Sequence, residues 1–130
     1  MILLDTHIVL WLAFAPARIS RRARTVIDEA RRSATGLAIS DITLLELATL
    51  EGKGRIHLDI SLESFLSEME ARFAVLAMTG KICTRAIGLS ETYPKDPADR
   101  IIGATSLVHG MPLITADEAI RHSKSIETIW

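Results

Sequence analysis

The sequence predicts an α/β protein, with a short, mostly parallel central sheet of four to five strands flanked by helices. Three observations carry that expectation. Short apolar runs recur, each closed by a polar residue, as the buried strands of a parallel sheet do. Between them lie longer segments with apolar residues at helical spacing, several preceded by a Ser or Asp that can cap a helix. The 130 residues are 48% hydrophobic and 24% charged. That is enough apolar material for one core and too little length for two, so residues 1–130 are read as one domain.

Met1–Leu4 reads as the first strand, ended by Asp5. Asp5 or Thr6 then caps a helix over Thr6–Ala15, apolar almost all round and stopped by Pro16. Ser20 caps a second helix, Arg21 to about Ser33, with Ala23, Val26, Ile27 and Ala30 on one face and a basic opposite face. Leu37–Ile39 is a second strand, and Ser40 caps a third helix running to Gly52 or Gly54. Ser61 opens a fourth helix, Phe73–Met78 resembles a third strand, and Gly80–Leu89 reads as a fifth helix. Asp96 stands at an N-cap position, with Pro97 at the first helical position and Asp99 in the first turn, and this helix ends at Gly110. Met111–Thr115 makes a fourth strand, Ala116–Ser123 a short helix and Ile126–Trp130 an edge strand.

Composition excludes several classes of function. The apolar run Ile8–Ala15 falls short of the roughly 20 residues that cross a bilayer, so no membrane partner is expected. No Lys or Arg precedes Arg18, which argues against a secretory signal. The single Cys83 has neither a disulfide partner nor a Cys/His cluster for zinc, and a reducing, cytoplasmic location is expected. Fifteen basic against sixteen acidic residues give a net charge of −1, so nucleic acid would be met by a local basic face.

The acidic residues fall in a pattern. In a parallel α/β sheet the reactive groups gather beyond the carboxyl ends of the strands. Asp5 and Asp117 each follow a strand, Asp99 lies in the first turn of the helix before the fourth strand, and right-handed crossovers bring all three toward one edge. Glu46 lies in the apolar run Leu44–Ala48 in mid-helix, where a carboxylate needs a partner or water. Each has a plain structural reading: Asp5, Asp96 and Asp117 as helix caps, Glu46 on a narrow polar stripe with Thr43, Thr49 or Lys53. Together the four converge without a nearby Lys, and clustered carboxylates repel unless a cation sits among them. All-oxygen ligation suits Mg²⁺ or Mn²⁺, and such a site suits phosphodiester hydrolysis.

These residues resemble the PIN domain family, and within it the VapC-type ribonuclease toxins of type II toxin–antitoxin modules. The resemblance rests on four motifs spread over essentially the whole chain. They are Leu3–Leu4–Asp5–Thr6–His7 with Leu10–Trp11–Leu12, Ile39–Ser40 before the helix carrying Leu45–Glu46–Leu47, Asp96–Pro97–Ala98–Asp99–Arg100–Ile101–Ile102–Gly103–Ala104, and Pro112–Leu113–Ile114–Thr115–Ala116–Asp117. The resemblance implies a PIN-like fold and an acidic, catalytic and metal-binding quartet of Asp5, Glu46, Asp99 and Asp117. Thr6, Ser40 and Thr115 would support it as hydroxyls; Arg100, by its position beside Asp99, reads as a contact to RNA phosphate. It further implies a Mg²⁺- or Mn²⁺-dependent endoribonuclease of structured RNA and a homodimer, with a cognate antitoxin that blocks the site and joins it in a higher complex. Ala98 departs from the bulky apolar residue usual at its position, which bears on local packing rather than on the ligands.

Other readings remain at this level. A phosphatase-like α/β domain using Asp5 as nucleophile normally wants a second Asp two positions on, where this chain has His7, and a strand-end Lys, which is missing near Thr115. A non-catalytic PIN-like domain that binds RNA or protein fits a decayed quartet, whereas all four acids are present. His7 and His109 read as helix-end residues. The arginines from Arg18 to Arg32 read first as a solvated face. With 5% aromatic residues no base-stacking platform is expected, so phosphate contacts and shape carry more of any RNA recognition. The apolar stripes of the first, third and fourth helices exceed what the core needs, which points to partner surfaces.

Overall fold

A computed structural model of the chain describes residues Met1–Trp130. Ile2–Leu4 (β1), Leu37–Ser40 (β2), Ala74–Leu76 (β3), Leu113–Ile114 (β4) and Thr128–Ile129 (β5) form one sheet in the order β3-β2-β1-β4-β5. All four pairings are parallel. The helices are Thr6–Phe14 (α1), Arg21–Arg32 (α2), Asp41–Gly52 (α3), Leu62–Arg72 (α4), Gly80–Ile87 (α5), Pro97–His109 (α6) and Glu118–Ser123 (α7).

Alternation along the strands assigns the two layers. Leu4, Leu37, Ile39, Ile114 and Ile129 pack with Ile8, Ala23, Ile27, Phe65 and Met69 of α1, α2 and α4. Leu3, Ala38 and Leu113 point the other way, against Tyr93, Ile102 of α6 and Ile120 of α7. Leu3 and Leu4 are both fully buried, and each such side chain stabilises the fold by about 1.5–3 kcal/mol. β1 is therefore covered on both faces, as an all-parallel sheet requires.

The strands are shorter than the apolar runs suggest. The Phe73 N–H still donates to Met69 O and ends α4, while the Met78 N–H donates to Asp41 Oδ2, so pairing is confined to Ala74–Leu76. Met111 N–H is taken by Ser106 O of α6, which shortens the fourth strand to Leu113–Ile114. The edge strand contracts from Ile126–Trp130 to Thr128–Ile129. A 3₁₀ turn over Pro16–Arg18, absent from the expected elements, follows α1. The helix starts follow their caps: Asp5, Ser20, Ser40, Ser61 and Asp96 each accept a backbone N–H. Gly110, at φ +63°, closes α6 in the left-handed conformation that glycine adopts without strain.

From β1 the chain runs to β2 and β3 on one side, then returns to lay β4 and β5 on the other. The connections after β1 and β4 pack on opposite faces, through α1 and α7, so a crevice opens beyond the carboxyl ends of these adjacent strands. Asp5 and Asp117 stand there.

Gly103 and Tyr93 fix the entry to α6. Tyr93 is buried and donates from Oη to the Asp99 carbonyl at 2.8 Å. Its ring lies against the helix at Gly103, where a Cβ would overlap Oη and sit 2.7 Å from Cζ. Gly103→Ala is expected to cost about 1–3 kcal/mol by overpacking. Adding Tyr93→Phe, which removes the clashing oxygen, should recover part of that loss. Thermal unfolding of both single variants and the double variant checks this, because simple additivity would mean that the two side chains do not meet.

Candidate active site

Asp5 ends the central strand and is 5% exposed. Its Oδ1 accepts the Thr6 N–H at 2.8 Å and its Oδ2 accepts the Thr115 hydroxyl at 2.7 Å. Burial pushes its pKa up, and these two bonds pull against the shift. The carboxylate is thus both helix cap and fixed acid.

Glu46 finds the partner that its apolar surroundings demand. The Thr6 hydroxyl donates to Oε1 at 2.5 Å, and Thr43, buried one helical turn before Glu46, meets Thr6 Oγ1 at 3.0 Å. Burial raises the Glu46 pKa, the Thr6 bond opposes it, and the charges of Asp5 and Asp96 add to the rise. From sequence, Thr43 is expected only as a neighbour of Glu46 on a polar stripe. Its placement at i−3 from a mid-helix carboxylate was the signal for more.

Asp99 is half-buried in the first turn of α6, and its carboxylate makes no hydrogen bond to the protein. Its pKa is pushed up to about 7, first by burial and then by the charges of Asp5, Asp96, Asp117 and Glu46. The acids from β1, α3, α6 and the β4–α7 connection thus lie near enough to raise the pKa of Asp99 together. Asp117 is exposed, accepts the Ile120 N–H at 3.0 Å as cap of α7, and gives its own N–H to Thr115 Oγ1 at 3.1 Å. Asp96 accepts the Ala98 N–H at 3.1 Å as the cap of α6.

Two of the expected supporting residues stand elsewhere. Ser40 caps α3 through the Ile42 N–H at 3.2 Å and bonds to none of the acids. Arg100, expected on RNA phosphate, donates to the carbonyls of Ala86 and Leu89 from Nη1 and of Ser90 and Tyr93 from Nη2, at 3.1–3.3 Å. Four carbonyls at the end of α5 and in the α5–α6 connection occupy that guanidinium, so its donors are spent within the fold. Thr6 and Thr115 do contact the acids.

Two clefts flank the acids and share His7. One, of about 440 Å³, runs past Thr6, Glu46, Lys53, Arg55 and Asp96; the other, of about 280 Å³, is lined by Asp5, Asp117, Trp11 and Arg18. The acids do not draw three together around one point. The donor set is all carboxylate oxygen, mutually repulsive, with no Lys or Arg ion pair. That chemistry fits a hard divalent cation such as Mg²⁺, which keeps several waters and takes one or two carboxylates.

A model of the family described as PIN domain matches residues 2–124. The chain belongs to the PIN domain family. This PIN chain is also 34% identical over 132 residues to Ribonuclease VapC22 of Mycobacterium tuberculosis, an alignment covering 99% of the chain and 98% of the relative. Among solved structures it is similar to DNA-bound VapBC from Salmonella typhimurium, with a TM-score of 0.73 at 16% identity. It is similar too to VapBC2 from Rickettsia felis bound to a promoter DNA fragment, with a TM-score of 0.72 at 17% identity. Both cover 98% of this chain and 97% of the other, and both show the fold. No helix is long and apolar enough to cross a membrane.

The raised pKa of Asp99 has a thermodynamic consequence. An acid whose folded pKa lies above its unfolded value binds its proton preferentially in the folded state. The stability this confers is present at low pH and falls away as pH rises from 3.8 toward about 7. In chelator, Asp99→Asn should therefore raise the melting temperature at pH 7.5, and the gain should shrink at pH 5. A gain that is the same at both pH values would show that Asp99 titrates normally.

Proposed function

We propose that the protein is a metal-dependent endoribonuclease, hydrolysing phosphodiester bonds of structured RNA as the toxin of a type II toxin–antitoxin pair. The observation that supports it best is the set of unpaired acids Asp5, Glu46, Asp99 and Asp117 that four elements bring to the same end of the sheet of a PIN fold, with Asp5 linked to Glu46 through Thr6 and to Asp117 through Thr115. The likeness to a protein named as a ribonuclease, over almost the full length of both chains, favours RNA as the substrate.

A bound Mg²⁺ or Mn²⁺ would supply Lewis acidity, lowering the pKa of a coordinated water and offsetting charge on the leaving oxygen. The chain's own part is positional. Thr115 and the Thr6 N–H orient Asp5, the Thr6 hydroxyl orients Glu46, and Asp99 keeps both oxygens free of protein donors. Because Asp99 holds its proton up to about pH 7 in the cluster, loading with a cation should release protons near neutrality. Hydrolysis then adds water across the P–O bond, breaking the link to the leaving sugar oxygen.

The partners in this reading are a cognate antitoxin and a second copy of the chain. Solved relatives include a toxin–antitoxin complex from Klebsiella pneumoniae, 24% identical with a TM-score of 0.59. Phe14, Leu45, Ile60 and Ile87 are large apolar residues from 46% to 85% exposed, suited to contact with partners.

Purified protein should cut structured RNA with Mg²⁺ or Mn²⁺ and stop in EDTA; undiminished cutting in chelator overturns the metal assignment. Two aspartates three residues apart sharpen the test. Asp96→Asn keeps a competent cap and should leave single-turnover cleavage within about twofold. Asp99→Asn removes a ligand charge and should cost at least the 10- to 100-fold (order of magnitude) typical of losses around a metal. Equal losses would move the metal contact away from Asp99.

A further inference from the structure

Arg18 is the one Arg or Lys lining the cleft that holds Asp5 and Asp117, and no carboxylate of the fold pairs with it. It makes no ion pair: the only two in the chain, His57–Asp59 and Arg72–Glu68, lie elsewhere. It makes no side-chain hydrogen bond, in contrast to Arg100, whose guanidinium is filled by four carbonyls. Yet Arg18 is held in place. Its guanidinium carbon sits 4.4 Å from the centre of the Trp11 ring. Trp11 is in turn wedged between His7 at 6.2 Å and Trp130 at 5.9 Å, both tilted against it. The 3₁₀ turn that carries Arg18 is tied down by the Arg24 guanidinium on the Pro16 carbonyl, and the next residue, Ile19, is buried.

A guanidinium whose carbon lies over an indole ring satisfies its charge there without using its N–H donors, which stay available to the oxygens of a phosphate. The packing of Arg18 on Trp11 holds the side chain in the cleft, while no carboxylate or carbonyl of the fold takes its N–H groups. We propose that the Arg18–Trp11 pair is a phosphate-binding subsite that holds an RNA phosphate flanking the one to be cut. The inference rests on the ribonuclease reading and adds a substrate contact to it. Trp11 acts through Arg18 as a positioning residue, so a ring is needed there even though the ligand is charged.

The test is binding of a fluorescently labelled single-stranded RNA by anisotropy, in Mg²⁺, over a salt series, with every protein carrying Asp99→Asn to suppress cutting. Arg18→Ala should weaken binding about five- to tenfold and reduce the slope of log K against log salt by about 0.7, the value for one lost phosphate contact on a single strand. Arg18→Lys should recover part of the affinity, since charge remains without the flat fork. Trp11→Leu should weaken binding while leaving most of the salt slope. Arg31→Ala, an exposed cation at the far end of α2, should change neither.

Steady-state cleavage without the Asp99 change should show Arg18→Ala raising KM with kcat within about twofold. Unchanged affinity and slope for Arg18→Ala overturn the subsite, and so does an effect confined to co-purification with an antitoxin, which would make Arg18 a protein contact. If wild type binds RNA through Arg18 but never cuts it, the ribonuclease reading falls and the subsite stands. If wild type cuts and Arg18→Ala matches it, the reverse holds.

Discussion

A carboxylate taken out of water costs several kcal/mol (order of magnitude) unless its oxygens are bonded, and Asp5 meets that constraint at the end of the central strand. One oxygen is satisfied by the first N–H of α1 and the other by a hydroxyl beyond β4. The start of α1, the alignment of β1 with β4 and the orientation of the acid are therefore one problem with one solution. The surrounding hydroxyls extend it. Thr115 also accepts the Asp117 N–H, and the Thr6 hydroxyl donates a hydrogen bond to Glu46. Three of the four acids are linked through two threonines, and Asp99 alone is placed by its helix, under which Tyr93 is seated.

The fold was legible wherever a local signal had one solution. Ser20, Ser61 and Asp96–Pro97 mark helix starts because a side-chain oxygen next to a helical stripe has few other uses, and Gly110 marks an end for the matching reason. Strand limits were less legible. Apolar character runs through Phe73–Met78, but which of those N–H groups pair across the sheet depends on Asp41, distant in sequence. The same distinction separates the acids from their supports. Asp5, Glu46, Asp99 and Asp117 stand out by chemistry in unlikely places. Whether Ser40 or Arg100 reaches them depends on competing partners, Ile42 for one and four carbonyls for the other, which no spacing reveals.

Charge is distributed to the same end. None of the acids is ion-paired with the Lys and Arg residues of the neighbouring clefts, and the arginine closest in sequence to Asp99 is committed to backbone carbonyls. Pairing any of these carboxylates with Arg or Lys would relieve the repulsion but occupy the oxygens. The metal-free fold thus retains an electrostatic strain that a divalent cation would relieve.

The bond between Asp5 and Thr115 spans 110 positions of sequence. Asp5 is therefore synthesised long before Thr115, and β1 cannot acquire its β4 neighbour until the intervening residues have been made. Until then the chain carries the acids made so far without their arrangement. Contacts of such long range also form late and slowly. The arrangement of the acids is therefore a property of the whole fold, and no local segment of the chain can assemble it ahead of the rest.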